Sequence, residues 1–231
     1  ENITINNVLY KINSTEKACF GFFVTVKRLL LEDVIIMNSS LLSAVSIIAN
    51  IEEKTEIMIK NSQFNDGFSL LYGGALYIEG LIEILIQNTI FYKNKAFNKG
   101  GAIYLACGSD LCSIVLKNCS FNSNQANYTG GAIQLNEKTP LEIDNNCIFV
   151  DNSATSGANY ASIPSFGVLS DLNYVDENEN LDEIIKQVDL NENFFNVSVS
   201  GKILQFFVII YDHFGNFQRI ENEAYIEITY N

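Results

Sequence analysis

Short stretches in which apolar and polar residues alternate recur along the chain, and each stops at an Asn. Ile57-Met58-Ile59-Lys60 runs into Asn61, Ile114-Val115-Leu116-Lys117 into Asn118, and Val34-Ile35-Ile36-Met37 into Asn38. A period of two places one set of side chains on each face of a short strand. No helix-length segment of period 3.6 recurs beside them. Three residues after an Asn stands a Phe in Asn61-Ser62-Gln63-Phe64, Asn88-Thr89-Ile90-Phe91, Asn118-Cys119-Ser120-Phe121 and Asn146-Cys147-Ile148-Phe149. Three of these Phe are followed three places on by Asn94, Asn124 and Asn152, and the first by Gly67.

A second motif runs in phase with the first. Gly73-Gly74-Ala75-Leu76-Tyr77 returns after 27 residues as Gly100-Gly101-Ala102-Ile103-Tyr104 and after a further 30 as Gly130-Gly131-Ala132-Ile133-Gln134. A degraded copy, Ser156-Gly157-Ala158-Asn159-Tyr160, follows at a spacing of 26. Two motifs locked in phase mark a repeat architecture, in which a single unit cannot bury its interior and stacked units can. The paired glycines allow a sharp corner and close approach of neighbouring backbones. The Ala-Ile-Tyr run opens a strand, Asn118 turns a corner, and Phe121 points inward. Stacked at the ~4.8 Å strand spacing, equivalent residues form ladders of Phe on Phe and Ile on Ile, and Asn at equivalent corners bonds up the stack. The expected fold is all-β: a parallel β-helix of about five coils of 26–30 residues, with length variation confined to the loop after the glycine motif. Upstream, Val34–Ser39 matches Ile57–Ser62 at an offset of 23, and Ile3-Thr4-Ile5-Asn6-Asn7 continues the pattern one coil earlier.

The paired FxxN and GGA(I/L) motifs resemble the polymorphic outer-membrane protein repeat of bacterial surface adhesins and passenger domains. They are also similar to the repeat of very large, Asn- and Ile-rich surface proteins of ciliated protists. The resemblance covers 1–169, most clearly 61–160. It implies a right-handed β-helix at a cell surface and assigns no catalytic residue.

The repeat stops after Ile163-Pro164. Residues 170–194 read as an acidic linker with one short helix at Leu181–Val188. Strands are expected to return at Phe195–Val199, Ile203–Tyr211 and Ala224–Tyr230, with an Asp212-His213-Phe214-Gly215-Asn216 turn between the last two. Residues 195–231 are thus either part of an immunoglobulin-like sandwich, which needs about seven strands, or capping strands on the final coils.

Composition narrows the function. The net charge is −13 with 14 Lys and Arg and no basic cluster, which argues against a nucleic acid or an anionic membrane as partner. No apolar run reaches the ~18–20 residues of a membrane span, and the first residues do not read as a signal peptide. Cys107 and Cys112 bracket a tight loop and are candidates for a local disulfide, as expected of a secreted chain. Cys119 and Cys147 share one repeat position; they are either a second disulfide or reduced core residues, and Cys19 is left over. Four Cys at these spacings and a single His match no zinc pattern. Six Asn-x-Ser/Thr sequons occur, at Asn2, Asn13, Asn38, Asn118, Asn127 and Asn196. Asn118, at a ladder corner, is expected to be buried and a poor glycan acceptor; the other five are candidates.

Glu79, Glu83, Asp144 and Asp151 are scattered, without the paired positions that β-helical polysaccharide lyases and hydrolases use. His213 reads as a solvated turn residue. No cofactor is expected, and no catalytic or metal site. Tyr77 and Tyr104 align in successive coils with Gln134: outward they form an aromatic stripe suited to sugar or protein contact, inward they are core. The sequence therefore points to an extracellular or cell-surface structural element, a rigid spacer or assembly piece of a larger chain. Its expected partners are neighbouring coils or subunits and glycans. The alternative is a carbohydrate- or protein-binding adhesin module using the stacked coil face.

Overall fold

The computed structural model describes residues 2–11, 20–24, 27–49, 51–107, 111–136, 139–175, 183–189 and 203–218. It divides into two units, Glu1–Ile163 and Pro164–Asn231, each taken by itself below.

The first unit is a parallel β-solenoid of about five turns. One sheet runs from Leu141–Ile143 through Ser113–Lys117, Ile82–Gln87 and Thr55–Lys60 to the long strand Arg28–Met37. That strand turns a corner at Asp33 and continues the sheet through Gln63–Asn65, Ile90–Tyr92, Ser120–Asn122 and Ile148–Val150. A second sheet stacks Phe20–Val24, Val45–Ala49, Leu76–Glu79, Ile103–Ala106, Ile133–Leu135 and Tyr160–Ala161. Between them lie four two-residue strands, Ser40–Leu41, Phe68–Ser69, Lys95–Ala96 and Gln125–Ala126. Every pairing among the strands of this unit is parallel and in register.

Alternation supplies the interior. Ile57 and Ile59 are buried while Glu56 between their neighbours faces out, and Ile84 and Ile86 repeat the pattern one coil on. Phe64, Phe91, Phe121 and Phe149 stack with ring centroids 5.3, 4.7 and 4.8 Å apart. Ile36 continues that column below Phe64, and Tyr160 meets Phe149 edge-on at its other end.

Three of the corners depend on left-handed backbone. Asp33, Asn61, Asn88 and Asn118 turn the first with φ of 49–54°, a region that Asn and Asp tolerate better than other side chains. Asn38, Asp66, Lys93, Ser123 and Asp151 turn the second, also at positive φ. At the third, Gly100 has φ +68°, and a Cβ there would lie 2.3 Å from its own turn's Ile103 carbonyl. A Cβ on the next residue, Gly101, would lie 2.0 Å from the Gly131 carbonyl of the following coil. The pair is therefore two separate requirements, one for the turn and one for stacking.

Asn94 and Asn124 form the buried counterpart of the exposed corners. The Asn124 Oδ1 accepts from both the backbone N–H and the Nδ2 of Asn94 at 3.0 Å. Its own Nδ2 donates to the Phe91 carbonyl and to Asn152 Oδ1, each at 3.0 Å. Asn94 repeats this with the Phe64 carbonyl at 2.8 Å and the Gly67 N–H at 3.0 Å. Coil by coil, one amide caps the inward carbonyl left by a Phe and the N–H left at the following corner.

Four details depart from the sequence reading. Length variation is not confined to the loop after the glycine motif: the offset grows from 28 residues at Leu41–Ser69 to 31 at Val45–Leu76, in the turn that precedes that strand. The 23-residue offset is not the register: Val34 faces Ser62, its N–H donating to the Ser62 Oγ at 3.2 Å across 28 residues, and Leu29 faces Ile57. The confusion has a physical source, because both corners are left-handed and both follow an alternating strand. The degraded glycine motif is shifted by one, since Gly157 (φ +62°) is the partner of Gly130 and Tyr160 that of Ile133. Asn118, expected to be buried, is exposed, because the buried Asn column is the one following the Phe.

The second unit contains an antiparallel sheet ordered Glu183–Asp189, Pro164–Val175, Ile203–Asp212, Phe217–Gln218. A strand thus occupies most of the stretch read as a helix at 181–188, and strands enter the stretch read as a linker. In the turn, buried Asp212 accepts the N–H of Phe214 at 2.9 Å and of Asn216 at 2.8 Å. The strands expected at 195–199 and 224–230 lie outside the described residues.

Replacing Asn124 by Ala strands a buried N–H and a buried carbonyl, at about 1–3 kcal/mol each, and Phe121→Ala removes about 3–5 kcal/mol. Asn118→Ala, on the exposed ladder, is expected to cost under about 1 kcal/mol. Urea unfolding of the three variants checks this; equal losses for Asn118 and Asn124 would contradict the assignment of the buried column.

Candidate binding face

The same register that fills the interior organises the outer face of the first sheet into three lanes. The central lane is Thr4, Leu30, Met58, Leu85 and Val115, each directly opposite the next. Leu30, Met58, Leu85 and Val115 are half-buried, and Glu142 closes the lane in the last coil. One flank carries Arg28, Glu56, Glu83 and Ser113, and the other Glu32, Lys60, Gln87 and Lys117. Arg28 pairs with Glu56 at 2.6 Å and Lys54 with Glu83 at 2.7 Å. The central lane and the flank of Arg28, Glu56 and Glu83 line a concavity of about 490 Å³. Half-buried aliphatic side chains on an outward face, set beside charged ones, offer a partner an apolar strip to cover. Sequence reasoning missed it; the signal was present in the outward positions of the alternating strands, where Met58, Leu85 and Val115 stand in place of polar residues.

The tyrosine stripe is outward but not open. Tyr77 and Tyr104 lie between inward Leu76, Ile78, Ile103 and Leu105 in the alternation. Their rings stack at 5.6 Å, and Tyr72 covers Tyr104 from the preceding loop at 4.5 Å. Tyr104 is only 7% exposed and Gln134 2%, with the Thr129 hydroxyl donating to the Gln134 Oε1 at 2.5 Å. The Tyr77 hydroxyl donates to Glu79 at 2.7 Å. Burial, with the charges of Tyr72 and Glu79 added, pushes the Tyr104 phenol up to about 12. Burial and the bond to Glu79 raise Tyr77 as well.

Cys107 and Cys112 are joined by a disulfide. It closes the segment in which this coil is longer than its neighbours, and the Ile82 N–H donates to the Cys112 sulfur at 3.3 Å. Cys119 and Cys147 are free thiols. They stand one above the other, the Cys119 N–H pointing at the Cys147 sulfur at 3.4 Å, as Val34 points at the Ser62 hydroxyl in an earlier coil. Of the two readings of this pair, the structure has the reduced one: stacked equivalent positions aim their side chains alike rather than at each other. Burial pushes the Cys119 thiol up to about 12 and also raises that of Cys147. Cys19 lies outside the described residues.

Among the sequons, Asn2, Asn38 and Asn127 are exposed, while Asn13 and Asn196 lie outside the described residues. Exposed Asn118 donates its Nδ2 to Asn88 Oδ1 at 2.9 Å, and Asn88 in turn donates to Asn61 at 3.1 Å. Asp144 ends this surface ladder by accepting the Asn118 N–H at 3.1 Å, a contact that lowers its pKa. Glu79, Glu83 and Asp151 are each exposed and far apart in the register, and exposed His213 stacks edge-on with Phe214. Among the described residues no group of three or more His, Cys, Asp or Glu converges.

Residues 88–106 and 118–136 match the Chlamydia polymorphic membrane protein repeat. These segments are the Asn-x-x-Phe corner through the glycine motif in two successive coils. Neither the curated proteins nor the solved structures contain a match to the chain. The repeat and the solenoid together fit a surface-exposed structural protein.

Two titrations follow from the site. Tyr104, raised in the folded chain above the ordinary ~10, stays protonated longer than in the unfolded one, so folding binds a proton between the two values. Stability is therefore full below about pH 10 and falls as pH rises towards about 12. Ultraviolet titration of the native chain should place the last phenolates late, with Tyr104→Phe removing one of them; a single early titration would contradict the covered stripe. Alkylation at pH 8 should modify Cys147 well before Cys119, as peptide mapping would read.

Proposed function

We propose that the chain is a rigid β-solenoid spacer or assembly element of a cell-surface structural protein, without a catalytic role of its own. The observation that carries this reading is the stacked interior of Phe and Asn columns, two of whose coils match a membrane-protein repeat. An interior stacked coil upon coil resists bending, which is what a spacer needs, and outward Glu56 and Glu83 are held in pairs with Arg28 and Lys54. An extracellular setting agrees with the Cys107–Cys112 disulfide. Exposed Asn2, Asn38 and Asn127 are the positions that would carry N-glycans in a eukaryotic secretory route. Neighbouring coils and subunits are its partners.

A second reading, a protein-binding adhesin module, draws support from the apolar central lane of the outer face rather than from the tyrosines, which are covered.

Labelling of intact cells with a membrane-impermeant amine reagent tests the surface reading. Exposed Lys27, Lys93 and Lys117 should be modified without lysis. Modification only after lysis would overturn it.

A further inference from the structure

The outer face of the first sheet is self-complementary in a way that selects one partner. At each coil the two flanking lanes carry residues that attract or tolerate each other: Arg28 with Glu32, Glu56 with Lys60, Glu83 with Gln87, Ser113 with Lys117. Between them runs the apolar lane Leu30, Met58, Leu85, Val115.

We propose that this face binds a second copy of the chain, with the two solenoids side by side and parallel about a two-fold axis running along the apolar lane. A rotation about that axis exchanges the flanks while keeping each coil at its own height. Arg28 and Glu56, paired with each other within one copy, then also meet Glu32 and Lys60 of the second, so that the intrachain pair is extended into a four-residue network that occurs twice. The apolar lanes face each other across the axis, Met58 opposite Met58. In the inverted arrangement at full overlap each flank meets itself, and Glu56 falls against Glu83 of the other copy. Glu32 falls against its Lys117 there and offsets that repulsion, whereas the parallel arrangement has two attractive pairs and no like-charge pair, which favours it. Glu142, at the end of the lane, limits the contact to the coils before it.

The face is small. Five strands about 4.8 Å apart and five residues long present on the order of 400 Å² per copy, below the ~800 Å² per partner of a standard interface. The association is therefore weak in solution and gains from the high local concentration of chains held on one surface. The inference deepens the spacer reading by naming its lateral partner, and it rests on that reading only for its purpose. Failure of the association leaves the labelling of intact cells unaffected, so the two can fail separately.

Sedimentation of the full chain at low salt, with Cys147 blocked by alkylation, tests the proposal up to millimolar concentration. The expected result is a reversible monomer–dimer equilibrium weakened by salt. Met58→Asp, Glu56→Lys and Lys60→Glu should each weaken self-association by roughly tenfold or more, with unchanged circular dichroism, since all three positions face outward. Glu56→Lys mixed with Lys60→Glu should associate again, because each supplies the charge that the other lacks. A wild type that stays monomeric, as it would if the face takes a different protein, overturns the proposal. So does a mixture that associates no better than its two components.

Discussion

A coil of this chain has no interior of its own, and what makes it fold is a constraint imposed by the next one. At a spacing of about 4.8 Å, every inward group meets its equivalent above and below, so whatever one coil leaves unpaired must be answered by the same position in its neighbour. Asn94 and Asn124 show how. Each is buried, and each uses both ends of its amide on the adjacent coils. A hydrophobic residue of equal size would fill the space but leave a carbonyl and an N–H without partners, at a cost comparable with a lost hydrogen bond apiece. The Phe column beside it supplies the dispersion and burial, and the Asn column decides the height and phase at which the coils sit.

Other features follow from that constraint. Gly101 is small because the carbonyl of the next coil comes against it, whereas Gly100 is small because its own turn closes on it. Where the repeat ends, Gly157 keeps the turn and Ala158 replaces the second glycine. The Cys107–Cys112 disulfide holds the segment across which the offset from the preceding coil rises from 27 residues to 30. Outside, the same in-register pairing cannot avoid making lanes, and the lanes on the first sheet give a surface whose apolar centre and charged flanks repeat at every coil.

The fold was largely legible from the sequence, since two motifs in phase state both the period and the corner chemistry. What was not legible turned on likeness between corners. Asn61, Asn88 and Asn118 lie three residues before a Phe, and Asn94, Asn124 and Asn152 three after it. Both sets turn up as Asn beside alternating strands, yet one is an exposed left-handed corner and the other a buried ladder. The same ambiguity shifted the upstream register from 28 residues to 23 and placed Asn118 inside. Tyr104 was ambiguous for another reason: it faces outward in the alternation, and its burial depends on Tyr72, which stands before the first glycine pair where the later copies have Lys99 and Thr129. The outer lanes were hidden because their charges are unremarkable along the chain and acquire meaning only across it.

Hydrogen exchange of the side-chain amides tests the central claim most directly. If Asn94 and Asn124 are the buried column that sets the stacking, their Nδ2 protons should remain visible by NMR long after transfer to deuterated water. They should persist with the backbone amides of the Ile84 and Ile86 strand, while the Nδ2 protons of exposed Asn88 and Asn118 vanish early. Rapid exchange at Asn94 and Asn124 in a chain whose backbone strands stay protected would contradict the account.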